Sequence, residues 1–526
     1  MPTATALPIN TSASALQMAN EIFGAGVSVN SATYSGDAAS SGIFSSGDTI
    51  GAGVTPGDTG VILSTGLATG FTNNSGTLNT NEETGRSTDT AGGINGDSDF
   101  DTLAGSLTRD ASFLEVNFTP TGDQVTIDFV LSSEEYPEYI NSIYNDVVGV
   151  WVNGNPATIS IGNGTASIGN INGVGGQQNV YNDNSADAFN TEMDGFTITL
   201  TFVAPVNTGV PNTLKIGVAD VGDANFDTNL LIAGGSVQST IVAQDDTITM
   251  PVDKDRTLDV LDNDSSTGGT LSITQINGQT ATVGVPILLA TGQSITLNAD
   301  GTLTVSSDGD DETVYFNYTI QDTSGNTDTA IVEVVQTPCF TEGTLIATPT
   351  GEVPIEKLAP GMQVLTRDDG PQTIRWIGNS VVDGSGEKAP IAISKGQFGA
   401  TRDLLVSPQH RIVLEGYMAE LLFGEAEVLV KAKDLINDAT ILRRPVPQVR
   451  YFHMLFDSHQ IITANGVDTE SYLPGDQTLP GFEDAVRDEI ISLFPQLAGD
   501  PNSYGPAARP VLRQFEAAPL LMALAA

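Results

Sequence analysis

At 526 residues the chain exceeds what one hydrophobic core supports and implies about three domains. Its formal charge of −44 comes without any basic stretch, which excludes nucleic acid and anionic membrane as natural partners. A single cysteine excludes an intrachain disulfide framework and a Cys-based zinc site.

The charge is unevenly spread: residues 1–338 hold 40 acidic and 5 basic side chains, against 24 and 15 in residues 339–526. A front so acidic, and rich in Gly, Asn, Thr and Ser, suits a solvated surface or carboxylates that hold cations. The opening MPTATALPINTSASALQMANEIFGAG shows no basic segment ahead of an apolar core, so no ordinary secretory signal is expected. No apolar run, the terminal PLLMALAA included, nears the ~20 residues of a membrane helix.

Residues 1–237 are expected to form a β domain with one short helix near Ser14–Phe23. Side chains alternate in Leu114-Val116-Phe118 and Val125-Ile127-Phe129-Leu131, with PTGD as the turn between them. The pattern returns in Phe196-Ile198-Leu200-Phe202 and Leu214-Ile216-Val218. Period-two runs divided by Gly, Asn and Asp turns predict an antiparallel sandwich. Three acidic clusters fall between the runs: Asp97, Asp99 and Asp101; Glu134, Glu135 and Glu138; Asp220, Asp223 and Asp227. Alternate carboxylates on a loop can converge on a hard cation, so calcium is the expected ligand of Asp97, Asp99, Asp101, Glu135, Asp220, Asp223 and Asp227; the plain alternative is that turns favour Asp.

The segments TAGGINGDSDFDTLAG, SSEEYPEYINSIYNDVVGVWVNG and GVADVGDANFDTNLLIAGGSV resemble the choice-of-anchor domain of bacterial surface proteins. That resemblance spans roughly residues 15–237 and implies a secreted or cell-surface protein, exported by a signal-peptide-independent, type I-like route. It implies no particular ligand.

Residues 240–337 read as a second β-sandwich, with clean alternation at Phe316-Tyr318-Ile320. The elements AQDD, DVLDND, ADGTLT and FNYTIQDTSGNTDTA resemble the cadherin-like repeats of large bacterial adhesins. The resemblance implies calcium ligands at Asp245, Asp246, Asp262, Asp264 and Asp322; a rigid spacer without metal is the alternative.

From Cys339 the composition changes, and Arg and Lys appear between compact turns. All three histidines follow the lone cysteine: His410 in LLVSPQHRIVL, then His453 and His459 in YFHMLFDSHQIITANG. A thiolate at a domain's first residue can attack the preceding carbonyl, here that of Pro338, and turn an amide into a thioester. The leaving nitrogen then needs a proton from a nearby histidine, oriented by a hydroxyl, and the oxyanion needs donors. Ser407 and His410 supply a hydroxyl and an imidazole on one strand-loop-strand; Asp457 and His459 offer a second acid-base pair, while His453 reads as structural.

The stretch CFTEGTLIATPTGEVPIEKLAPG, followed by SPQH and FDSHQIITANG in that order, resembles the Hint superfamily of intein, Hedgehog-type and bacterial intein-like domains. The resemblance runs over residues 339–475 and implies an all-β Hint fold with Cys339 as nucleophile and no cofactor for the reaction. Ser407 replaces the family's usual Thr, Met362 replaces its usual Asp, and Pro338 is a hindered acyl residue. No His-Asn junction follows ANGV, so full splicing is not expected.

The expected protein is therefore mostly β: two antiparallel sandwiches, a Hint domain, and a helical tail over 476–526 with an apolar stripe in FEDAVRDEIISLF. The expected activity is single-turnover self-cleavage at Pro338–Cys339, by an N-to-S acyl shift and then hydrolysis or transfer to an amine. Its partners are its own N-terminal segment as substrate and an amine acceptor or surface partner. The competing expectation is a calcium-binding adhesin or interaction protein with an inactive Hint fold.

Overall fold

A computed structural model describes the chain except residues 1, 77–86, 89–91, 141, 163, 175–176, 251–254, 308–312, 337–339, 385–388, 409, 424, 438, 473–493, 495–503, 505–506 and 513–526. Pro338, Cys339 and the apolar stripe of the tail, except Phe494, lie outside the described residues.

The first domain is a two-sheet sandwich. One sheet contains Thr108–Pro120, Asn212–Val221 and Val147–Val152; the other is built on Gln124–Ser133, Thr228–Ala233 and Gly60–Ser64. The alternating residues fill the space between them: Leu114, Val116 and Phe118 from one sheet meet Val125, Ile127, Phe129 and Leu131 from the other. The PTGD turn therefore carries the chain from sheet to sheet and closes no hairpin. Phe196 and Leu200 fall on two short strands that both pair with Gln124–Ser133. The expected helix is Ala15–Ile22, held by a capping box in which Ser14 and Gln17 bond each other's backbone.

The second domain packs on the first. Tyr315 and Ile331 join the first domain's core. Asn317 Nδ2 donates to Thr199 O at 3.1 Å, and Gln238 Nε2 donates to Thr327 O at 2.6 Å. Its own core gathers Phe316, Tyr318 and Ile320 from the strand Thr313–Asp322.

In the third domain, two sheets share one core that includes Phe340, Ile346, Val406, Ile412, Phe452 and Ile462. Three times the chain passes from one of these sheets to the other in the same direction, with two returns between. Phe340–Thr341 lies in one sheet and Leu345–Thr348 in the other; Leu404–Val406 is followed by Arg411–Glu415; Val446–Leu455 is followed by Ile461–Ala464. His410 and His459 sit at the second and third crossings, and Cys339 immediately precedes the first. This crossing pattern brings together residues that the sequence holds far apart.

Candidate functional site

His410 is fully buried between the sheets. Its backbone N–H donates to Ser407 O at 3.1 Å, closing the SPQH turn. Its ring packs against Phe340, the residue after Cys339, with centroids 4.2 Å apart. The hydroxyl that meets the ring belongs to Thr469, 2.5 Å from Nε2. Thr469 spends its one hydroxyl proton on Arg411 O at 2.8 Å, so its oxygen accepts from His410 Nε2–H. Nδ1 is left as a buried lone pair with no partner among the described residues. Desolvation pushes His410 down to about 4, over the opposing pull of Glu470. At neutral pH the ring is an uncharged base with one free nitrogen.

His459 faces a different acid from the one expected. Asp457 turns outward, 58% exposed, and makes a bidentate pair with Arg375 at 2.9 and 2.6 Å. The acid beside His459 is Glu470, with Oε2 3.4 Å from Nε2. Glu470 is 1% exposed and takes two bonds of 3.0 Å from Arg411, through its backbone N–H and its guanidinium. Burial raises this carboxyl, but Arg411 and His459 outweigh that and hold it at about 2. It is thus a permanent anion beneath the two histidines. Ser407 is buried beside the site and closes the turn, while ring orientation comes from Thr469. His453, read as structural, is buried on the strand Val446–Leu455 with its ring on Tyr472, near enough for its charge to act on His410. The three histidines therefore share one neighbourhood.

Sequence reasoning missed Thr469, Glu470 and Arg411. Their only signal was position: VDTES directly follows the Asn-Gly turn, and Arg411 directly follows His410. Asn465 holds the left-handed φ of 49° that a tight turn demands, and its side chain ties Leu345 N and Asp403 O together. It is a clamp between segments.

The acidic clusters of the front domains separate on inspection. Asp97 caps the helix Ser98–Ala104, pairs with Lys215 at 2.6 Å, and leaves Asp99 to the same lysine at 2.7 Å. Asp101 accepts from Thr108, and Asp227 accepts from Thr88. Glu135, Asp220 and a residue outside the expected set, Asp146, form a buried group with Asp223 nearby. Desolvation first, then their mutual repulsion, raises Glu135 and Asp220. In the second domain Asp246 and Asp264 share the Tyr318 hydroxyl, and Asp245 accepts from Ile331 N. Asp262 is exposed, and Asp322 closes its own turn through Ser324 and Asn326. Among the described residues no three His, Cys, Asp or Glu side chains stand as a formed metal site.

Residues 338–476 match the family model of the Hint domain. Residues 8–238 match that of the choice-of-anchor L domain, and residues 238–335 that of a bacterial Ig domain. Among solved structures, the chain is similar to the MchDnaB-1 intein (14% identity, TM-score 0.18, 25% of this chain and 98% of that one). It is also similar to the Msm DnaB1 intein splicing domain bound with zinc (17%, 0.18, 25% and 98%) and the gp41-1 intein (13%, 0.17, 25% and 97%). No curated protein matches the chain. The C-terminal unit is a Hint domain. It closes a chain that begins with a choice-of-anchor L domain and continues through a bacterial Ig domain. No helix among the described residues is long and apolar enough to cross a membrane.

Proposed function

We propose that this Hint domain cleaves its own chain at Pro338–Cys339, releasing the front domains at a surface or outside the cell. The observation that carries the reading is a neutral His410 with a bare Nδ1, packed on the residue that follows the cysteine. In the first step the Cys339 thiol proton passes to His410 Nδ1 and Sγ bonds to the Pro338 carbonyl carbon. The bond from that carbon to the Cys339 nitrogen then breaks, and the nitrogen takes the proton back from His410. The products are a thioester at Pro338 and a free α-amine on Cys339. Water then yields a carboxylate and the thiol, or an amine takes the acyl group. No cofactor enters, and each molecule reacts once.

The test is intact-mass spectrometry of the full chain beside Cys339→Ala, with and without dithiothreitol or hydroxylamine. Two fragments meeting at Pro338–Cys339, increased by thiol and absent in the alanine variant, are expected. One uncut mass throughout would reject the reading. A second reading, a calcium-binding adhesin with a silent Hint fold, draws on Glu135, Asp146 and Asp220, which need a cation if all ionise. Calorimetric calcium titration of the Cys339→Ala chain, beside Asp220→Asn, tests it: no heat, or heat unchanged by Asp220→Asn, removes calcium at this cluster.

A further inference from the structure

Beyond the segment that matches the Hint domain, the chain returns to it. Tyr504 donates to Phe456 O at 2.7 Å. Leu429 N donates to Pro510 O and Leu512 N donates to Leu429 O, both at 2.8 Å, so residues 510–512 extend a sheet alongside Glu427–Lys431. Leu512 enters the shared core. Arg509 is pinned at 2.7 Å to both Glu427 and Asp368. Residues 507–512 of the tail thus run as a strap along the domain, with ties on either side of Ala508.

Between those ties the Ala508 backbone N–H donates to His459 Nδ1 at 2.9 Å. A backbone amide can only donate, so Nδ1 must present its lone pair and the ring proton must sit on Nε2. Nε2 in turn lies 3.0 Å from Ser471 O and 3.4 Å from Glu470 Oε2, both acceptors. With the strap docked, His459 has no free lone pair and no spare proton. It can act neither as base nor as acid.

We propose that the strap of residues 507–512 and a proton compete for Nδ1 of His459, so that the strap keeps this histidine out of proton transfer until it lifts. Ala508 and Arg509 are then positioning residues of the site. The groups that face His459 are Glu470 with its partner Arg411, the His410 ring at the neighbouring crossing, and His453 beyond it; the strap contributes Arg509, already neutralised by Glu427 and Asp368. The consequence for the second step rests on the self-cleavage reading: with the strap docked the thioester waits, and with the strap lifted His459 can activate water or an amine.

The chain's three histidines make the test direct. Full-length Cys339→Ala, labelled with nitrogen-15 only in histidine, stays uncut and gives three imidazole patterns that report tautomer and charge. His459 is expected as the Nε2–H tautomer, with Nδ1 hydrogen-bonded by the Ala508 N–H. Ala508→Pro removes the donor, and Arg509→Ala loosens the strap while keeping the donor. In both, the His459 Nδ1 resonance is expected to move away from its hydrogen-bonded position, with the His410 pattern unchanged as a check on folding. Arg509→Lys should restore the original pattern. A His459 pattern identical in all four proteins would overturn the proposal whether or not the chain cleaves. With Cys339 present, Ala508→Pro is expected to shed residues 1–338 about tenfold faster; an unchanged rate would overturn the link to the second step, and no cleavage in any protein would reject only the self-cleavage reading.

Discussion

His410 and Glu470 divide the work of the site by their surroundings. Both are buried, but among the described residues His410 has neutral hydrogen-bond partners and stays uncharged, whereas Glu470 has Arg411 and stays ionised. His410→Gln is therefore expected to lower thiol-induced cleavage by roughly 10²–10⁴-fold, the usual range for a lost acid-base group; mass spectrometry over time measures it. His410 also makes the fold acid-sensitive. Its folded value near 4 lies below the ordinary ~6.5, so its contribution is full above pH ~6.5 and is lost as pH falls toward 4. Asp457 and Glu470 separate the assignment made from sequence from the one made in three dimensions. Asp457→Asn breaks only an exposed pair with Arg375 and should leave cleavage within about twofold and stability within about 1 kcal/mol. Glu470→Gln leaves Arg411 without its buried anion and should cost about 3 kcal/mol in denaturant unfolding, together with a shifted pH profile. Adjacency to His459 suggested Asp457, but the backbone turns its side chain to solvent before the next strand begins.

The elements matter here because of where the chain crosses between sheets. Strands were legible as alternating runs, and the Asn465-Gly466 turn as a hairpin signal. Alternation says which face of a strand is buried, but not which sheet the strand joins, so the PTGD segment read the same as a hairpin turn and as a crossing. Gly466 shows how tightly that hairpin turn is fitted against its neighbours. Its φ is 88°, and a Cβ there would lie 2.8 Å from Gly399 O and from Thr401. Gly466→Ala is expected to destabilise the Hint domain by about 1–3 kcal/mol and to slow cleavage, measured by chemical unfolding beside the mass assay. The strap was the hardest element to foresee. Residues 507–512 have no periodic pattern of their own; they gain a ladder partner in Leu429 only because the folded domain presents that strand edge.

For the whole molecule, the acidic front has a sign of its own. Desolvation raises Asp246 to about 8 and Asp264 to about 7, with repulsion from neighbouring aspartates adding to it. Unfolded aspartates titrate near 3.9, so the folded state favours their protonated forms. Their contribution is full below pH ~4 and is lost as pH rises through 7 to 8. Thermal unfolding of the full chain in a chelator should accordingly show a front-domain transition that moves to lower temperature between pH 5 and 8. Asp246→Asn should flatten that slope, and an unchanged slope would show that these carboxyls do not govern it. The amino-acid sequence by itself determined the β class and the order of the three domains, and it singled out Cys339, His410 and His459 as candidates for chemistry. Those features rest on local alternation and on scarce residue types at fixed spacings, which a linear reading contains. Only the tertiary structure decided which acid meets His459, which hydroxyl sets the His410 tautomer and what caps Nδ1. Glu470 lies 11 residues from His459, Thr469 lies 59 from His410, and Ala508 lies 49 from His459; they meet where the chain passes between two sheets, and no spacing along the chain encodes which side chains such a crossing brings within hydrogen-bond reach.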